Sequence, residues 1–267
     1  MNNNIKSLCI FDIDGVILTD KDSESKLICE GIRDLNRRKI SYTFCTGRSY
    51  YRALSVIENI GVDMPIIIEN GSKIIDTSGN LLKESVLTSE RINTVIKKID
   101  SVDINFATFS TSYNFLSCFY VPHPEKYRDF LLSNKQFILD VTDDLGLFKC
   151  WAKKYKCTQI TVNMNGIMSE LGTNNISDNS FVSYTNEFIS KGNAIIDLAK
   201  TLNIPLKKIA VVGNDVNDIS MFKQSVAIKV AVINTQTPEE LIKLATHKVR
   251  ANGLPNLINK LWGEIYG

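Results

Sequence analysis

At 267 residues, with 44% apolar and 22% charged residues, the chain is long enough for a core domain with an insert and has an ordinary globular composition. Its formal net charge of +2 excludes the strongly basic field of a nucleic-acid binder. No apolar run approaches the ~20 residues of a membrane span, and the N-terminal residues run straight into an apolar stretch that Asp12 interrupts. Neither a membrane helix nor a signal peptide is expected, and a cytoplasmic location is.

The first element is an apolar run, Leu8 to Phe11, that reads as a buried strand and ends on Asp12-Ile13-Asp14-Gly15. Residues i and i+2 of a strand share a face, so both carboxylates are expected at one site. Two like charges that close are tolerated where a cation lies between them or one is protonated, which points to metal-assisted chemistry with an acid/base partner. Val16-Ile17-Leu18 packs the outgoing chain, and 20–24 reads as a polar loop capping a helix. That helix carries Leu27, Ile28, Gly31, Ile32 and Leu35 at helical spacing and closes on Arg37, Arg38 and Lys39, as its dipole prefers.

Residues 40–45 read as a second strand, running into Thr46-Gly47-Arg48-Ser49 and a helix with Leu54, Ile57 and Ile60 on its apolar side. A strand, a Gly turn and a helix start aim free backbone N–H groups and the Thr46 hydroxyl at one spot, a place suited to an anion. A third strand at 65–68 ends on Glu69-Asn70-Gly71, and 73–76 and 81–86 flank Thr77-Ser78-Gly79-Asn80 as a hairpin.

From residue 87 the alternation of strands and helices loses regularity. Strands are expected at 115–121, 158–164 and 181–187, helices at 145–155 and 166–171, and a polar loop at 173–180, together a small α+β unit inserted into the main domain. Regularity returns at Ser190-Lys191-Gly192-Asn193, which opens a helix bearing Ile195, Leu198, Ala199 and Leu202. Lys191 stands in its first turn, where the dipole disfavours a cation, so its placement calls for a nearby anion. A strand at 208–212 leads into Gly213-Asn214-Asp215-Val216-Asn217-Asp218. A last strand is expected over 226–233, with helices at 237–245 and 255–262 to finish.

Apolar strands alternating with helices predict a doubly wound parallel sheet, whose site lies beyond the carboxyl ends of the strands. Three polar clusters fall at such ends, and Lys191 would face the same crevice. No G-x-G-x-x-G follows a strand, so a dinucleotide-binding oxidoreductase is not expected. Cys9, Cys29, Cys45, Cys118, Cys150 and Cys157 contain no CxxC pair and read as reduced, mostly structural thiols, and with His123 and His247 they make no zinc site.

As a set these motifs resemble the haloacid dehalogenase-like (HAD) phosphatase superfamily, in its Cof-type and sucrose-phosphatase-like branch with a type-2B cap. Asp12-Ile13-Asp14-Gly15-Val16 is similar to the first motif, Thr46-Gly47-Arg48 to the second, Ser190-Lys191-Gly192 to the third and Gly213 to Asp218 to the fourth. The resemblance implies an α/β, HAD-like (Rossmannoid) core over 1–86 and 187–267, with an inserted α+β cap at 87–186 that sets specificity. It implies a Mg²⁺-dependent phosphatase acting on a small phosphate ester, a sugar phosphate, through an aspartyl phosphate. Asp12 would be the nucleophile and Asp14 the general acid/base, and Thr46 and Lys191 would hold the phosphoryl oxygens. Asp12, Asp14, Asn214, Asp215 and Asp218 would serve the metal, with Asp218 acting through water. Gly47, Arg48, Asn70 and Asn217 would join Thr46 and Lys191 on the substrate. The family more often has Asp after the Gly of the fourth motif, where this chain has Asn214, so Asp215 stands as the alternative ligand. A phosphomutase on the same scaffold and a phosphosugar-binding regulator without turnover are the competing readings. No nucleic acid or membrane partner is expected.

Overall fold

A computed structural model of the chain describes residues 7–38, 40–62, 64–112, 114–164, 176–178 and 181–266. Two compact units emerge: Met1–Arg48, Arg52–Lys83 and Ser190–Gly267 in one, Ser49–Tyr51 and Glu84–Ile189 in the other. In chain order the first unit begins with β1 (Leu8–Phe11), α1 (Asp22–Arg37), β2 (Ser41–Phe44), α2 (Tyr50–Ile60), β3 (Ile66–Ile68), β4 (Lys73–Ile75) and β5 (Leu81–Glu84). The second holds α3 (Ser89–Asp100), β6 (Ile104–Ser110), β7 (Ser117–Tyr120), α4 (Arg128–Ser133), β8 (Ile138–Thr142), α5 (Leu145–Lys154), β9 (Ile160–Met164), β10 (Ile176–Asp178) and β11 (Phe181–Tyr184). The chain returns to the first unit with α6 (Lys191–Thr201), β12 (Ile209–Gly213), α7 (Ile219–Phe222), β13 (Ile228–Val232), α8 (Glu239–Leu244), β14 (His247–Val249) and α9 (Leu254–Tyr266).

The first unit is a parallel sheet ordered β14-β13-β12-β1-β2. Every residue of β1 is buried, so the strand is covered on both faces, as its unbroken apolar run requires. Leu8 and Ile10 join a cluster with Ile195, Leu198 and Phe222 on α6 and α7, while Cys9 and Phe11 point the other way by strand alternation. Burying such an aliphatic side chain contributes about 1.5–3 kcal/mol, so one apolar face of α6 suffices to fix that helix on the sheet. The hairpin of β4 and β5 stands as expected, with Gly79 N–H donating to the Asp76 carbonyl.

Several expectations need correction. The strand at 65–68 is β3, which pairs antiparallel with β4 and is joined to the end of β2 by a parallel bridge between Cys45 and Ile67. Leu27 is 52% exposed, because the buried stripe of α1 runs through Ile28, Ile32 and Leu35. In α2 the buried stripe is Ala53, Val56 and Ile60, with Leu54 and Ile57 half-buried beside it. The strand at 226–233 is not the last: β14 follows α8 and pairs with β13 in parallel.

The second unit is a six-stranded sheet ordered β10-β11-β9-β6-β7-β8, antiparallel except for the β7–β8 pair. Its core joins Ile92, Val95, Ile96 and Ile99 of α3 with Phe148 and Ala152 of α5 and the inner residues of the sheet. Sequence reading does not single out α3, although those three isoleucines and one valine recur at i, i+3, i+4 and i+7 behind a Thr88 N-cap. It also omits β6, α4 and β8. The strands expected at 115–121, 158–164 and 181–187 are present in shorter form as β7, β9 and β11. The helix expected at 166–171 lies outside the described residues. Of the loop expected at 173–180, residues 176–178 are described, and they form a strand.

Candidate active site

The neighbouring strands β2, β1 and β12 end side by side, and each delivers polar groups at its carboxyl end. Asp12 follows β1 directly, and its N–H still donates to the Val212 carbonyl at 2.9 Å, which fixes its backbone to β12. Its side chain is buried, where Lys191 Nζ lies 2.8 Å from Asp12 Oδ1 and 2.7 Å from Asp218 Oδ1. The cation disfavoured by the dipole of α6 thus has two carboxylates as its anion. Ser190 caps the helix, accepting from the Asn193 N–H at 3.1 Å, and so places Lys191 as the first helical residue.

The other oxygen of Asp218 accepts the N–H groups of Asn214 at 2.8 Å and Asp215 at 3.1 Å. Asp218 therefore ties the loop after β12 to Lys191. Two carboxylates and one ammonium leave the buried centre one negative charge in excess. Burial and the charge of Asp218 push the Asp12 carboxyl well above the usual carboxylate range, against the pull of Lys191. Burial alone would lower the Lys191 ammonium, but Asp12 and Asp218 outweigh it and raise it.

Asp14 does not share a strand face with Asp12, as sequence spacing suggests. The strand ends at Phe11, and Asp14 lies in the turn that follows, bridged to Leu18. Gly15 adopts φ +69°, and a Cβ there would come within 2.2 Å of Asn214 Nδ2. Glycine is needed at that point, because the turn lies directly on the Asn214 amide. The Asp14 side chain is 53% exposed and takes a two-pronged ion pair from Arg48, with Nε at 2.9 Å from Oδ2 and Nη2 at 2.6 Å from Oδ1. Partial burial pushes Asp14 up, but the hydrogen bonds and charge of Arg48, with Arg52 and Lys191 beyond, win and hold it below its usual value.

The passage after β2 differs from the expected helix start. Helix α2 opens only at Tyr50, and the Arg48 N–H is not free, since it donates to Thr46 Oγ1 at 3.1 Å. Thr46 is buried, and its carbonyl accepts the Asn70 N–H at 3.0 Å. The buried Asn70 side chain lies against Gly47, and its Oδ1 accepts from Asn217 Nδ2 at 3.3 Å. The fold thus gathers Asp12, Thr46, Gly47, Asn70, Lys191, Asn214, Asn217 and Asp218 around the three strand ends, with the Asp14–Arg48 pair at their edge. Asp215 caps the turn at Val216–Asp218, its Oδ1 accepting the Val216 N–H at 2.6 Å. Glu69 and Lys73, a buried ion pair at 3.1 Å next to Asn70, belong to this neighbourhood and escape sequence reasoning. The i, i+4 spacing of opposite charges was the available signal, but in an unassigned turn that spacing has no fixed meaning.

The buried Asn214 Oδ1 and the Asn217 Oδ1 have no hydrogen-bond partner. A buried carbonyl oxygen without a donor is costly, and Asn214 lies against the turn that leaves Asp12. Among the described residues no three His, Cys, Asp or Glu side chains assemble as a metal cluster. The oxygen set here would instead be one carboxylate, one amide and backbone, which suits a hard divalent cation and fits the excess negative charge of the centre.

The pattern of the haloacid dehalogenase-like hydrolases matches residues 9–253. The chain belongs to this family. Phosphatase YwpJ of Bacillus subtilis is 22% identical over 81% of this chain and 86% of its own length. A putative phosphatase of Buchnera aphidicola is 24% identical over 95% of each chain. In structure the chain is similar to BT4131, described as a HAD subclass IIB sugar phosphatase, with TM-score 0.74 at 17% identity over 97% of this chain and 100% of that one. The HAD fold, a parallel-sheet core with a separate sheet-bearing cap, is therefore established, and as an enzyme the chain is a HAD-type phosphatase. No described helix is long and apolar enough to cross a membrane.

Proposed function

We propose that this HAD protein is a Mg²⁺-dependent, cytoplasmic phosphatase of a small phosphorylated metabolite, a sugar phosphate, working through an aspartyl phosphate on Asp12. The observation that carries this reading is the buried Asp12 carboxylate held at 2.8 Å by Lys191, which is itself anchored by Asp218. A carboxylate fixed beside a fixed cation is a nucleophile with a ready-made partner for phosphoryl oxygens. An Asp12 oxygen attacks phosphorus as the ester P–O bond breaks, and Asp14 passes a proton to the departing oxygen. Asp14 then takes a proton from the water that attacks the aspartyl phosphate, which releases phosphate and restores Asp12. Lys191 and Thr46 hold the transferring oxygens, while Arg48, Gly47, Asn70 and Asn217 contact the substrate phosphate. The Asp12 carboxylate, the Asp14 carbonyl and the Asn214 amide would hold Mg²⁺, with Asp218 behind them. When bound, Mg²⁺ supplies the positive charge that lets an anion approach an anionic phosphoryl group.

Because Arg48 holds Asp14 ionised, this reading requires the guanidinium to loosen as substrate phosphate competes for it, so that Asp14 can carry a proton. The inserted unit, at 87–186, is proposed as the specificity domain. A sugar phosphate is supported by the description of BT4131, and a cytoplasmic setting by the free cysteines, of which five are buried. The test is a panel of phosphorylated sugars, nucleotides and cofactors assayed for phosphate release. Turnover of sugar phosphates with Mg²⁺, abolished by EDTA, is expected. No release from any monoester, or release indifferent to EDTA, would overturn the reading.

A further inference from the structure

Glu69, Asn70 and Gly71 are three consecutive residues in the left-handed region, with φ of +51°, +56° and +99°. Gly and Asn tolerate that region, but Glu does not enter it readily. The turn is nonetheless closely placed. Its Asn70 N–H donates to the Thr46 carbonyl and its Glu69 N–H to the Arg48 carbonyl, at 3.0 and 2.9 Å. Its Asn70 side chain takes a hydrogen bond from Asn217. A Cβ on Gly71 would come within 2.5 Å of the Ser190 carbonyl and 3.0 Å of Ala194 Cβ, so the turn lies flat against the start of the helix that presents Lys191. Three residues thus touch the elements carrying Thr46, Lys191 and Asn217.

The turn is closed by an ion pair with no exposure on the Lys73 side and 1% on the Glu69 side. Lys73 is the first residue of β4, paired across the ladder with Ile68 at the end of β3, so it reaches back over the base of the turn. A dry ion pair adds little net stability over an apolar pair of the same size, because desolvation offsets the attraction. It does restrict the backbone, since Glu69 and Lys73 meet at 3.1 Å across the turn. Strain of this kind persists where the surroundings over-determine it, and it clusters at functional sites.

We infer that the buried Glu69–Lys73 ion pair is a positioning clamp. It locks the left-handed turn and thereby holds Thr46 and the Lys191 helix in register for phosphoryl transfer. Glu69 and Lys73 are positioning residues acting through Asn70 and Ser190, and the kinetic part of this inference rests on the phosphatase reading above.

The test uses the full chain carrying Glu69→Gln together with Lys73→Met. Either single change leaves one charge of the pair without the other, so the double variant, which removes both charges, is the decisive one. Amide hydrogen exchange reads the clamp without any substrate. Exchange at Asn70 is expected to rise at least about tenfold, while the Asp12 amide in the sheet stays as in wild type. Unchanged protection at Asn70 overturns the clamp. In the kinetic arm, kcat per folded molecule is expected to fall about 10²-fold with KM within about threefold, because misplacement of order 1 Å costs that much in orientation. Normal turnover in the double variant overturns the positioning role even if exchange is faster. If the wild-type protein itself hydrolyses no ester, the phosphatase reading fails, and the exchange arm alone decides the clamp.

Discussion

Two carboxylate–cation pairs flank the end of β1, and they behave in opposite ways. Asp12 is buried with Lys191 and a second acid, and its carboxyl is pushed up by burial and by Asp218. Asp14 is half-exposed beneath Arg48, and its carboxyl is held down. Protonating Asp12 relieves an excess of buried negative charge, whereas protonating Asp14 breaks a pair. The difference in setting, rather than in resting charge, is compatible with the roles proposed above. A group fixed on both sides by protein suits attack along one line, and a group whose cation can leave for a phosphate suits carrying a proton in and out.

The largest break in that comparison is Asp12→Asn. An amide is a poor nucleophile, so turnover of any phosphate ester should fall by at least about 10⁴-fold. The fold should survive, since one neutral hydrogen-bonding group replaces a charge. A phosphate-release assay with circular dichroism checks both, and residual turnover near wild type would remove Asp12 from the chemistry.

Lys191→Met comes next. It leaves Asp12 and Asp218 facing one another without their cation, a loss of about 3–5 kcal/mol of stability for a broken buried pair. Among molecules still folded, kcat should drop about 10²–10³-fold for the lost phosphoryl contact. Urea unfolding and kcat measured together separate the two effects. A stable, active Lys191→Met protein would mean that the buried centre is architecture only.

The exposed pair is probed by leaving group and by pH. Asp14→Asn should slow hydrolysis of a sugar phosphate by about 10²–10⁴-fold and that of nitrophenyl phosphate by far less, because a good leaving group needs little protonation. Equal losses would deny Asp14 its acid role. Arg48→Ala tests the pair itself. A carboxyl held below its unfolded value of ~3.9 contributes stability at neutral pH that is lost as pH falls through the lower folded value. Removing Arg48 removes that contribution, so Tm should decline less steeply below pH ~4 than in wild type. An unchanged slope would show that the ion pair does not persist in solution.

How much of this is legible in the sequence follows from the physics of each element. The runs at β1 and β12 are continuous and apolar because both sheet faces are covered, so they announce themselves, while β2 shows through its aromatic and β-branched residues Tyr42, Thr43 and Phe44. β14 is three residues of mixed polarity at the sheet edge, His247-Lys248-Val249, and no periodicity can be read from so short a strand. In α1 only Leu27 falls off the expected face, and in α2 the buried positions Ala53 and Val56 stand one residue before the expected Leu54 and Ile57, because a side chain's burial depends on the neighbouring elements as well as on its own spacing. In the second unit α3 was legible and overlooked, while β8 alternates too weakly, with no fully buried residue. At the site, residue types and order along the chain pointed to residues that the fold brings together. Its wiring was not available: nothing local says that Lys191 shares two acids, that Arg48 grips Asp14, or that Glu69 and Lys73 close a left-handed turn.

The smallest expected effect concerns the metal and separates Asn214 from Asp215. Asn214 is buried, its amide oxygen has no partner, and it packs against Gly15 in the turn that leaves Asp12. Asp215 already has work to do: its carboxylate caps the Val216–Asp218 turn by accepting the Val216 N–H. The neutral ligand is therefore proposed to be Asn214, with Asp215 acting at a distance. Asn214→Asp adds an anionic oxygen where a hard cation favours it, and apparent Mg²⁺ affinity should tighten about tenfold. Asn214→Ala should weaken it more than Asp215→Ala does, and Asp215→Ala should instead lower Tm by the loss of a cap, about 1 kcal/mol. A Mg²⁺ titration of the three variants, followed by thermal shift as well as by turnover, decides between them. If Asp215→Ala loses more affinity, the loop turns the Asp215 carboxylate to the metal, and the orphaned Asn214 oxygen needs a different occupant.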